Sequence, residues 1–330
     1  MMTEQAVVQE NETQESAVLV NKPKANKSFK REALIFNFVC MLIPVLHWLV
    51  FWLYVNAQSI SMAFIDPLTG EFDFLTNYKY LWATEIDVNL SSDYSTLLYA
   101  GRNTMIFFAV NILITLPMSV IIAYFIYKKI VGYKFFRIVF YLPAVLPAIV
   151  LTTVYTQITN NNGLIDTLFH CVPDEGLLFN NNSALGAVIV FVVLCGFTTN
   201  VLLFSGGMAR VPIEVIEAAK LDGCGPMQEI IFLIIPLIWP TLTTQIILAF
   251  TNMFNNGSQV TILTQGHFGT TTLSHWLFFK LAGGDGRTAV IADGIGAYYV
   301  SAVGLVLTLI AVPIILLVRK LFEKVEPVEY

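Results

Sequence analysis

The residues in this chain best suited to chemistry of their own are carboxamides. Thr251, Asn252, Asn255 and Asn256 crowd the end of an apolar run, and three amides within little more than one helical turn put at least two on a single face. An amide in hydrocarbon is costly unless it meets a partner or faces a cavity. Amides both donate and accept hydrogen bonds, so such a face suits a neutral polyol; the same asparagines can instead bond between helices. Catalysis fits less well. The apolar runs lack a His/Asp/Glu constellation, and Ser, Cys and His do not fall at nucleophile and base spacings. Cys40, Cys171, Cys195 and Cys224 are widely spaced, with no CxxC pair and no His at ligand spacing, which suggests neither a metal site nor a disulfide framework. No GxxxxGK[ST] occurs, so any phosphate-cradling loop must come from another chain. No catalytic residue, metal or cofactor is expected of this chain.

The elements that carry these amides are membrane helices. Hydrophobic residues make up 56% of the 330 and charged residues 12%, against roughly 25% charged in a soluble chain. That balance predicts an all-α protein in a lipid bilayer and makes nucleic acid an unsuitable partner. Six stretches reach the ~20 apolar residues that a crossing needs: 33–55, 103–127, 138–158, 184–204, 230–250 and 295–318, none containing Asp, Glu, Lys or Arg. Residues 271–282 are too short to cross and carry His275 and Lys280, so they read as an extracytoplasmic or re-entrant element. With the N-terminus inside, 14 of the 18 Lys and Arg fall on the cytoplasmic side, leaving Lys79, Arg102, Lys280 and Arg287 outside. Both termini are therefore expected in the cytosol, with residues 1–32 a disordered polar tail, 33–320 the six-span domain and 321–330 a second tail. Prolines interrupt the spans, and the pairs Pro143/Pro147 and Pro236/Pro240 suggest hinges. Asn37, His47, Asn111, Gln157 and Gln245 read as helix-packing residues.

Between the fourth and fifth spans lies a cytoplasmic loop, 206–229. Pro212 suits the start of a short helix, Glu214 and Glu217 lie toward the positive end of its dipole, and Ile213, Ile216 and Ala219 share a face. Gly223 permits a left-handed turn, and Pro226 can open a second short helix leading into the membrane. The residues alone leave open whether this helix docks into a cleft of another protein or merely spaces two spans.

Glu217-Ala218-Ala219, Asp222-Gly223 and Ile235-Pro236 resemble the EAA loop of ABC-importer permeases. The resemblance extends from about residue 36 to 320. Phe140-Tyr141-Leu142-Pro143 through Pro147, Tyr155 and the stretch 162–168 resemble the third span and outer loop of the maltose and glycerol-phosphate importer class. Residues 72–78, Arg102-Asn103-Thr104, Thr264-Gln265-Gly266 and 270–273 are similar to other parts of it. Cys224, Gly266-His267 and Leu194 depart from the usual alanine, Gly-Gly-Pro run and tryptophan.

What the resemblance implies is a type I importer permease in the bacterial cell membrane. Its partners would be a homologous second permease, two cytosolic ABC ATPases that use ATP and Mg, and an extracytoplasmic solute-binding protein. The loop would couple to the ATPases: Glu217 and Asp222 would fix it by hydrogen bonds and charge, Ala218 and Ala219 would permit close approach, and Gly223 would supply its turn. A rigid connection through Pro236 and Pro240 would tilt the fifth span. Counting from Pro236, Ala249, Asn252, Met253 and Asn256 match positions where maltose-type permeases contact solute; counting back from Pro212, Cys195, Gly196 and Thr199 do so, with Asn200 beside them. A carbohydrate is the expected cargo, with glycerol phosphodiesters or another polar metabolite as the alternative. A stand-alone channel or secondary carrier would instead call for intramembrane ionisable residues or inverted repeats, which the sequence does not display.

Overall fold

The computed structural model describes residues 27–83, 97–255, 257–282 and 296–324. The expected tail through residue 26, Ile295 at the start of the last expected span, Arg287, Asn256 and residues 325–330 lie outside these. The described residues are helical apart from turns and a single antiparallel bridge between Ile65 and Phe72. Four helices are long and apolar enough to cross a membrane: Leu34–Met62, Leu97–Tyr127, Ala184–Met208 and Gly296–Phe322. Two more segments qualify only as bent pairs, Tyr133–Val145 with Ala148–Phe169 and Pro226–Leu237 with Trp239–Thr251. We number the six segments in chain order.

The chain divides into two units, residues 1–59 and 60–330. In the first, the helix Lys27–His47 passes into a π-helical stretch, Trp48–Tyr54. Its apolar side chains from Leu34 to Val55 are exposed all round, the pattern of a helix solvated by lipid.

In the second unit, segment two is already helical at Leu97, before the expected 103, and so takes in Arg102, whose guanidinium lies 4.3 Å from the Tyr99 ring centroid. Arginine is a good helix former, so the hydrocarbon boundary does not end the helix. Both Pro117 in segment two and Pro236 in segment five follow π-helical stretches, Asn111–Thr115 and Glu229–Ile234. A proline ring clashes with the carbonyl four residues back, and a wider turn there makes room for it.

The paired prolines coincide with the breaks. Segment three bends by 112° where Pro147, extended at ψ 139°, precedes Ala148–Thr159, and segment five bends by 79° at Ile238 (φ −94°, ψ 10°). The expected rigid connection through Pro236 and Pro240 is therefore two short helices with a joint between them, because neither proline can donate to the helix ladder. One core gathers segments two, four and five around Val120, Tyr124, Val201, Phe204, Met208, Ile230, Ile234 and Ile238.

Residues 60–82 and 257–282 fold as compact caps. Asn77 donates from Nδ2 to the carbonyls of Ala63 and Ile65, both at 3.0 Å, closing a turn. The stretch read as extracytoplasmic or re-entrant is a ten-residue helix, Leu273–Ala282, buried through Leu273, His275 and Trp276.

Candidate functional site

Two places in the second unit gather the residues singled out above. The first is the loop. Ile213–Leu221 is a helix with Pro212 as its N-cap and Glu214 in its first turn. Gly223 has φ +78°, and the amides of Gly223 and Cys224 donate to the carbonyls of Lys220 (3.1 Å) and Ala219 (3.0 Å), a left-handed C-terminal turn that glycine adopts without strain. Pro226 opens the next short helix, and the Gly225 amide donates to Gln228 Oε1 at 3.0 Å. Of the apolar face, Ile216 is 4% exposed and packs into the core, while Ile213 is exposed and Leu221 is 90% exposed. The helix thus presents Glu214, Glu217, Ala218, Asp222 and Leu221 outward, with Ala219 half-buried.

One expectation about this loop is corrected. Neither Glu217 nor Asp222 makes a side-chain hydrogen bond or ion pair among the described residues, and both are exposed. The fastening comes from Ile216 and from a residue the sequence reading passed over. Glu229 is 3% exposed; Lys128 at the end of segment two donates to its Oε2 at 2.7 Å and pairs with its Oε1 at 2.6 Å, and the Tyr124 hydroxyl donates to Oε2 at 3.0 Å. A lone Glu between Gln228 and Ile230 carries no local sign of a partner 101 residues away.

The second place is a cavity of about 210 Å³ between segments two, four and five. Four of the candidate solute positions, Thr199, Asn200, Ala249 and Asn252, line it, and so do Asn111 and Gln245, which had read as packing residues. Phe108 and Leu248 supply apolar wall, and among the described residues no charged side chain lines it. Asn111 begins the π-helical stretch, and the extra residue in that turn shifts the helix face. Gln245 is two turns from the bend, where periodicity counted through a straight helix misleads.

Of the other described candidates, Cys195, Gly196, Met253 and Asn255 do not line it. Gly196 is a crossing point, since a Cβ there would meet Thr115 Cγ2 at 3.0 Å, and Cys195 packs against the cluster around Phe191 and Val260. Met253 is buried in a 3₁₀ turn after the helix ends at Thr251. That turn rotates Asn255 out of helical register; it donates to Asn252 Oδ1 at 3.4 Å and is exposed. Among the described residues no three His, Cys, Asp or Glu side chains converge as metal ligands would.

Residues 103–327 match the model of the binding-protein-dependent transport system inner membrane component family. The chain belongs to this family. The permease is 25% identical over 240 residues, 71% of its own length and 79% of the relative's, to the multiple sugar-binding transport system permease protein MsmF of Streptococcus mutans. It is 24% identical over 218 residues to the maltose/maltodextrin transport system permease protein MalF of Salmonella typhimurium, spanning 61% of this chain and 42% of MalF. A probable ABC transporter permease of Mycoplasma genitalium, MG188, is 32% identical over 156 residues, 43% of this chain and 47% of that protein. In fold, the permease superposes with a TM-score of 0.70 on a chain from the crystal structure of a bacterial ABC transporter involved in importing the acidic polysaccharide alginate. That match has 18% identity and covers 90% of this chain and 98% of the other. The type I importer-permease bundle expected from the EAA-like loop is therefore the fold, and the protein is a multi-pass membrane transport component rather than an enzyme.

Proposed function

We propose that this permease forms one half of the translocation path of an ATP-driven importer for a neutral oligosaccharide. Its cavity carries the reading: five amide or hydroxyl side chains, Asn111, Thr199, Asn200, Gln245 and Asn252, face a common space with Phe108 and, among the described residues, no ionised group. Sugar hydroxyls need both donors and acceptors, and the carboxamides supply both. An acidic polysaccharide or a glycerol phosphodiester would call for a cation in that wall. The names of MsmF and MalF, a sugar and a maltodextrin permease, support the same class.

The rest of the machine is proposed from the exposed loop. The outward face of Ile213–Leu221, with Leu221 and Glu217 exposed, suits docking into a cytosolic ABC ATPase, which uses ATP and Mg. A homologous second permease completes the path, and a solute-binding protein delivers cargo to the outer caps. Both termini lie in the cytosol, in keeping with Lys128, Lys129, Lys134, Arg137, Arg210, Arg319 and Lys320 on one side of the membrane.

The experiment is uptake in proteoliposomes holding all the subunits. The double substitution Asn252→Ala with Gln245→Ala is expected to lower uptake at limiting solute by about tenfold or more, the equivalent of ~1.4 kcal/mol of lost binding. Unchanged uptake would contradict the site. Calorimetry on the cognate binding protein identifies the sugar.

A further inference from the structure

The buried carboxylate of Glu229 has no part in the cavity, yet it occupies a mechanically decisive position. It is the first residue of the π-helical stretch in the proximal half of segment five, Pro226–Leu237, directly after the exposed loop. Its oxygens take Lys128 Nζ at 2.6 and 2.7 Å, and the Tyr124 hydroxyl donates to it at 3.0 Å. Lys128 caps segment two. The loop helix is tied to the same body, because Ile216 and Val211 share a core with Val120, Tyr124 and Ile126 of segment two and Ile230 and Ile234 of the proximal half.

Beyond the joint at Ile238 the attachments change. Trp239, the first residue of the distal half, stacks on Phe322 at 5.8 Å between ring centroids and donates from Nε1 to the Phe322 carbonyl at 3.4 Å. The distal half packs along segment six. Leu242 and Ile246 from it reach the proximal core while partly exposed, and Phe250 meets Phe108 of segment two edge-on at 4.7 Å between ring centroids. Segment five is thus two pieces with a 79° bend between them, the proximal one held by the Lys128–Glu229 pair and the distal one by the Trp239–Phe322 contact, while both also border segments two and four.

We propose that Lys128 and Glu229 are positioning residues that fasten the loop and the proximal half of segment five to segment two. The ATPase stroke then moves these three as one body, and the chain flexes at Ile238 against a distal half held by segment six. This rests on the ATP-driven reading above. A buried ion pair is weak support for stability as such, since apolar side chains of similar volume serve as well or better. What it supplies is a directional link that survives sliding between greasy surfaces, because displacement of either partner leaves a charge unpaired.

The test uses the full complex in proteoliposomes, reading solute transported per ATP hydrolysed. Wild type is measured first; absence of ATP-driven uptake would overturn the importer reading and this inference with it. With wild type active, Glu229→Gln and Lys128→Gln are expected to keep ATP hydrolysis while transport per ATP falls about fivefold or more, the lower end of ordinary coupling energies. The exchange Lys128→Glu with Glu229→Lys is expected to restore much of it. Unaltered transport per ATP in assembled single variants would overturn the proposal. A measurement on the otherwise native chain guards against variants that fail to assemble: spin labels carried by unnatural residues at the exposed positions Val131, Met227 and Thr251. The Val131 to Met227 distance is expected to stay fixed on binding a non-hydrolysable ATP analogue while the Met227 to Thr251 distance changes. The reverse pattern, or no change in either, would overturn the proposal.

Discussion

At the scale of single residues, the polar side chains that hold this permease together bond to backbone far away in sequence. Asn103 is fully buried and donates from Nδ2 to the carbonyls of Gly269 (2.9 Å) and Thr271 (2.8 Å), while Thr104 Oγ1 accepts from the Leu273 amide at 2.9 Å. Asn103→Ala leaves two buried carbonyls without donors and is expected to destabilise the outer cap by about 1–3 kcal/mol, seen as a lower melting temperature in detergent. His275 tests the same cap by pH. Burial, and secondarily the neighbouring His267, hold its pKa below the ordinary 6.5. The folded chain therefore favours the neutral ring, and between the two values the unfolded chain binds more protons. Stability present above about pH 6.5 is expected to fall as pH drops through the lower, folded value. His275→Gln is expected to flatten that part of the melting-temperature profile; an unchanged slope would contradict it. None of these partners could be found by spacing: Asn103 and Gly269 are 166 residues apart. The amides of the cavity were only half legible for the same reason. Asn252 and Asn200 stood out beside other polar residues, whereas Asn111 and Gln245 are single polar positions in apolar runs.

Among the elements, location was legible and shape was not. Apolar run length, which depends only on the thickness of hydrocarbon, falls on the four long helices and on the two bent pairs. It cannot give a bend of 112° or 79°, which depends on how neighbours receive the freed carbonyls; the proline pairs mark where the breaks fall, and the angles come from packing. Gly223 and Pro226 behave as local chemistry dictates, because a left-handed turn and a helix start involve only adjacent residues. Gly196 shows the opposite. It reads as a solute position by counting from the loop, yet it is where segment four meets Thr115 of segment two. Gly196→Leu is expected to force those helices apart at about 1–3 kcal/mol, the usual penalty of overpacking, and to lower the yield of folded permease without altering solute preference. A changed solute preference at normal yield would return Gly196 to the path.

For the whole molecule, an exposed loop whose Ile216 packs among segments two, four and five, and a polar cavity with no charged side chain among its described lining residues, fit the reading proposed above, half of a machine whose other parts are separate chains. The apolar circumference of Leu34–Val55 and the outward face of Ile213–Leu221 are exposed among the described residues of their own units. The family match over 103–327 makes the protein an inner membrane component of a binding-protein-dependent system, and that dependence is what a measurement must reach. Uptake of a labelled maltodextrin-sized sugar is followed in proteoliposomes containing the permease, its second permease and its ATPase, with cognate binding protein outside and nucleotide inside. Uptake is expected only when loaded binding protein and hydrolysable ATP are both present, with ATP hydrolysis rising on addition of the loaded binding protein. Uptake that persists without either one would contradict it.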